Sequence, residues 1–115
     1  MIEIDFIYDA DCPAADDARA NLREALEREG LPVRWREWER SAPATAESMR
    51  AFGSPTILIN GRDAAGIEAA GSPSCRVYQA RPGRLAAVPP VEIIRAALIG
   101  AHAPKKASAD AEKFR

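Results

Sequence analysis

A chain of 115 residues is long enough for one domain with a real core and too short for two. Hydrophobic residues at 47% and charged residues at 29% describe an ordinary globular protein and exclude a disordered one. A formal net charge of -1 gives no nucleic-acid surface and the apolar runs are too short for a membrane span, so neither is an expected partner.

The N-terminal MIEIDFIYDAD carries acids where a secretory leader carries Lys or Arg, so a cytoplasmic location is expected. IEIDFIY predicts a strand with Ile2, Ile4, Phe6 and Tyr8 on one face and Glu3, Asp5 and Ile7 on the other. In DADCPAADD, Cys12 precedes a helix. Pro13 suits the first turn, where its missing N–H costs nothing, and Ala18, Leu22, Ala25 and Leu26 recur at helical spacing until Gly30. LPVRWREWER reads as a second strand, with Val33 and Trp35 opposite Arg34 and Arg36 and with Trp38 near its end. Strand, helix and strand in this order imply a parallel pair joined by a right-handed crossover.

Ser41, Pro43 and TAESMRAF predict a shorter helix ending at Gly53. SPTILIN, apolar throughout its middle, is an interior strand, and Asn60-Gly61 turns the chain back antiparallel through GRDAAG. Residues 67–74 are loop-like, CRVYQA is strand-like and ARPGRL is a turn. PPVEIIRAALIG makes a last helix with Val91, Ile94 and Leu98 on one face and Gly100 at its end. The domain is thus expected to span 1–100. The block 101–115 holds every lysine, Lys105, Lys106 and Lys113, lacks hydrophobic periodicity and is expected to be a disordered tail with His102 solvated.

Two cysteines, Cys12 and Cys75, are too few for a disulfide scaffold and are left as free thiols, a redox pair or metal ligands. Unpaired N–H groups at a helix start favour a thiolate at Cys12, whereas Asp9, Asp11, Asp16 and Asp17 oppose a further negative charge. A bound cation would turn that repulsion into shared ligation. The plain alternatives are that the aspartates complement the helix dipole and that Cys75 is a small buried hydrophobe. Arg62 and Arg76 either face the acids or are surface charges, and Trp35 and Trp38 are core and edge packing.

The order β-α-β-α-β-β-α, with a cysteine at the tip of the first strand and Ser54-Pro55-Thr56 before the third, resembles the thioredoxin fold, an α/β fold with a central mixed sheet flanked by helices. DADCPAADDARANLREAL is similar to a thioredoxin-type active-site turn and its helix, with Cys12 at the position of the attacking cysteine. FGSPTILIN is similar to the stretch that presents a cis-proline to that cysteine, making Ser54–Pro55 an expected cis bond, and INGRDAAG is similar to the glutaredoxin hairpin. With SCRVY and the VPP helix, the set resembles a family of small bacterial thioredoxin-like proteins over residues 2–99; some members are labelled alkylmercury lyase-like. Ala15 stands where the resolving cysteine would be, so a vicinal dithiol does not form.

The resemblance implies a thiol-dependent redox protein acting on a small-molecule or protein thiol or disulfide. Cys12 would be the nucleophile, Cys75 the resolving thiol and Pro55 the substrate-docking proline, with Pro13, Ser54, Thr56 and Arg76 as substrate-binding neighbours. No organic cofactor is implied. The rival from another class is a soft-metal handler holding Hg(II), Cu(I) or Zn(II) between Cys12 and Cys75 with Asp11 nearby, both sulfurs being required. In its enzymatic form a carboxylic acid would protonate a departing carbanion. The third reading is a non-catalytic thioredoxin-fold binding module. The oligomeric state is left open.

Overall fold

The computed structural model describes residues 2–66, 78–81 and 84–102. In chain order the elements are β1 (Ile4–Tyr8), α1 (Ala15–Arg28), β2 (Arg36–Glu39), α2 (Glu47–Arg50), β3 (Thr56–Ile59), β4 (Arg62–Asp63), β5 (Tyr78–Arg81), β6 (Arg84–Ala86) and α3 (Val91–His102). A four-stranded sheet has the order β2-β1-β3-β4. β1 and β2 are parallel across the α1 crossover, while β3 runs antiparallel to β1 and β4 antiparallel to β3. The chain is therefore a small α/β protein with a mixed sheet.

One face of that sheet carries the main core. Register pairs Ile4 with Ile59 and Phe6 with Ile57, which puts all four on the same side. Ala15, Ala18, Leu22, Ala25 and Leu26 of α1 pack there with Ile94 and Leu98 of α3. Each large aliphatic or aromatic chain removed from water here contributes about 1.5–3 kcal/mol. At the rim the helices are joined by Arg95 Nε on Glu29 at 2.8 Å and by the Asn21 amide donating to the Pro89 carbonyl at 3.0 Å. α1 ends as its sequence predicts: Gly30 takes φ 71, its N–H donates to the Glu27 carbonyl and the Leu31 N–H to the Leu26 carbonyl.

β1 is covered on both faces, and four later stretches differ from the sequence expectation. Asp5 and Ile7, on the face of β1 opposite Ile4 and Phe6, are buried too, and β1 lies between β2 and β3 as an interior strand. β2 begins at Arg36 rather than Leu31; the Arg34 N–H turns in to the Pro32 carbonyl, and proline has no N–H for a ladder. α2 is one turn, because the Thr45 hydroxyl donates to the Glu39 carbonyl and the Ser41 hydroxyl to the Glu39 carboxylate, holding the chain ahead of it out of the helix. α3 runs through Gly100 to His102, so the expected boundary at 100 falls inside a helix. ARPGRL, expected as a turn, contributes to the antiparallel pair β5–β6, a second sheet that the seven-element order lacks.

The Asn60-Gly61 turn has the expected form. Both residues adopt positive φ, 53 and 83, as a two-residue type I′ hairpin demands. Asn60 also clamps the start of the first strand, its Oδ1 accepting the Glu3 N–H at 2.9 Å and its N–H donating to the Glu3 carbonyl at 2.8 Å. Gly61→Val, which forces a β-branched residue into that conformation, should cost about 1–2 kcal/mol. The denaturant midpoint should fall at unchanged slope; an unmoved midpoint would mean that the turn is not held at positive φ.

Candidate functional site around Cys12

Cys12 follows β1 on a tight turn. Its N–H donates to the Asp9 carbonyl at 3.0 Å and its own carbonyl accepts the Ala15 N–H at 3.3 Å. α1 therefore begins at Ala15 with Ala14 as its cap, and Cys12 and Pro13 lie one turn ahead of it rather than inside its first turn. Cys12 is a free thiol of intermediate exposure whose side chain packs against the edge of the core. Ala10, Asp11 and Pro13 around it are exposed.

The turn is held from both sides. From the segment just ahead of β3, the buried Ser54 Oγ accepts the Asp9 N–H at 2.9 Å. From β2, the Glu39 carboxylate accepts the Ala10 N–H at 3.2 Å, and the Ser41 hydroxyl with this amide holds that carboxyl below its usual range. Arg40, next after β2, donates Nη1 to both Asp9 carboxylate oxygens at 3.3 and 3.1 Å and Nη2 to the Arg50 carbonyl at 2.9 Å. The sequence reading did not single out Glu39 or Arg40. The signal was the parallel register: pairing Tyr8 with Glu39 brings the next residues, Asp9 and Arg40, side by side.

The ring of aspartates accordingly comes apart. Asp9 is neutralised by Arg40, Asp16 is ion-paired with Arg19 at 2.7 Å, and Asp11 and Asp17 are exposed. Arg19 also donates Nε to Glu37 at 2.7 Å and lies 5.0 and 4.8 Å over the stacked rings of Phe6 and Tyr8. The Arg19 hydrogen bond holds the Glu37 carboxyl below its usual range, with a smaller lowering from the Trp35 indole. A depressed folded-state value stabilises above the unfolded-state pKa, and that contribution is lost as pH falls through the folded value. Glu37 is 35% exposed, so solvent screens the pair. Glu37→Gln should therefore lower stability by less than about 1 kcal/mol at pH 7, and the gap should close in urea titrations carried into acid. A gap that widens with acid would reverse the assigned sign.

The Ser54–Pro55 bond is cis, as expected, and Ser54, Pro55 and Thr56 are all fully buried. The Thr56 hydroxyl donates to the Gly53 carbonyl at 2.7 Å. Ser54 and Thr56, expected as substrate-binding residues, thus spend their hydroxyls inside the protein. Register places the end of β1 beside the start of β3, Ile7 opposite Thr56, so this segment and the Cys12 turn share one end of the sheet. Cys75 and Arg76 lie outside the described residues, while Arg62 is exposed on β4. Among the described residues no group of three or more His, Cys, Asp or Glu side chains is gathered to hold a metal, which leaves Asp11 exposed beside Cys12.

A cavity of about 330 Å³ opens at the opposite end, lined by Ile2, Ile4, Leu26, Leu31 and Ala101 among others. Among the described residues Arg34 is its one ionisable lining residue, and they offer it no nucleophile or acid–base pair. No helix among the described residues is long and apolar enough to cross a membrane. Set against family models, curated proteins and solved structures, the chain matches none.

Proposed function

We propose that the chain is a thioredoxin-like thiol protein whose nucleophile is Cys12. One observation carries the reading: the turn bearing a free, part-exposed cysteine is tied by the Asp9 N–H to the Ser54–Pro55 segment at the same end of a mixed sheet. The parallel β1–β2 pair across α1 and the antiparallel β3–β4 hairpin agree with a thioredoxin-like order. In the reaction, the Cys12 thiolate attacks one sulfur of a disulfide, forming a mixed disulfide and expelling one thiolate. The Cys75 thiolate then attacks Cys12, forming the internal disulfide and releasing the second thiolate. The substrate gains two electrons and the protein dithiol loses them; two equivalents of an external thiol restore it.

The test is intact-mass analysis after incubation with bis(2-hydroxyethyl) disulfide. Cys75→Ser should trap one adduct on Cys12, Cys12→Ser should trap none at that position, and the unsubstituted protein should pass on to an internal disulfide. Cys12 left unmodified in Cys75→Ser would defeat the proposal.

A further inference from the structure

We infer that Asp9 and Arg40 are positioning residues for Cys12, a clamp that fixes the cysteine turn against the Ser54–Pro55 segment; the inference rests on Cys12 being the nucleophile. Asp9 uses every polar group it has at this place. Its N–H donates to Ser54 Oγ, its carbonyl accepts the Cys12 N–H, and its carboxylate receives Arg40. Arg40 is anchored in turn, its backbone N–H on the Tyr8 carbonyl at 2.8 Å and its Nη2 on the Arg50 carbonyl. The two side chains are only 16% and 18% exposed, so water replaces their contact poorly. Without the ion pair, the turn keeps its backbone bonds and the Ser54 and Glu39 contacts to its N–H groups, but its carboxylate anchor to β2 is gone and the Cys12 sulfur loses its fixed line of approach. In-line attack on a disulfide is sensitive to such misplacement.

The experiment compares two rates at Cys12 in the full chain, exchange with bis(2-hydroxyethyl) disulfide and alkylation by iodoacetamide, alongside the thermal midpoint. Asp9→Asn and Arg40→Gln should each slow exchange roughly tenfold, because geometry governs it. Alkylation, which needs no docked disulfide, should change far less. The double variant should be no slower than the singles, since the two residues act as one unit. Arg40→Lys, which keeps the charge without the fork, should recover part of the rate and serves where Arg40→Gln does not fold. Folded variants that exchange at the unsubstituted rate would overturn the clamp, as would alkylation falling in step with exchange. An unsubstituted protein inert to the disulfide overturns the nucleophile reading itself, and that result is recognised before any variant is made.

Discussion

Phe6→Ala is expected to lower stability by about 3–5 kcal/mol, a large share of the roughly 5–15 kcal/mol by which a domain of this size stays folded. Phe6 is 0% exposed and sits at the centre of β1, paired with Ile57 and facing both long helices. Its ring stacks on Tyr8 at 5.6 Å and lies beneath the Arg19 guanidinium. Truncation removes the buried ring, leaves a cavity that the sheet backbone does not close, and takes away half of the aromatic platform under Arg19. Tyr8→Ala should cost less, because Tyr8 is only partly buried. Urea midpoints of the two variants check the order. A loss below about 2 kcal/mol for Phe6→Ala would show that the core relaxes into the space.

The same residues show why much of this fold is legible in the sequence. Helix α1 announces itself because Ala18, Leu22, Ala25 and Leu26 repeat at helical spacing and Gly30 supplies the left-handed stop; all four side chains are buried. Asn60-Gly61 specifies its hairpin through positive φ alone. Such signals are local, and the chain carries them wherever it goes.

What the sequence hides is set by neighbours distant along the chain. Alternation places Asp5 and Ile7 opposite Ile4 and Phe6 but does not tell that this second face is buried as well, which follows from β1 being an interior strand. The aspartates near Cys12 form one acidic block in sequence. In space, Asp9 and Asp16 are answered by Arg40 and Arg19, from the end of β2 and from α1. Parallel register decides the first pairing, and no motif encodes it. Ser54 and Thr56 fit a substrate-facing segment by type, yet their hydroxyls are satisfied by Asp9 and Gly53 within the fold.

The second large effect is expected at Asp5, and it should be asymmetric between the two partners of an ion pair. The carboxylate is 6% exposed and accepts Arg36 Nε at 2.9 Å and Trp38 Nε1 at 2.8 Å, with Arg36 Nη2 at 3.1 Å. The Arg36 side chain is 57% exposed, so its charge keeps water whatever happens to Asp5. Asp5→Asn removes the charge, retains an amide oxygen for Trp38 and should cost about 1–3 kcal/mol. Arg36→Ala should be worse, because it strands a buried carboxylate with the indole as its remaining side-chain partner. Adding Asp5→Leu to Arg36→Ala should then recover stability, since an apolar chain replaces an uncompensated charge between two covered faces. Urea denaturation of the two single variants and of the Asp5→Leu/Arg36→Ala double variant measures the order. A double variant less stable than Arg36→Ala alone would show that Asp5 is held by the indole and its surroundings rather than by Arg36.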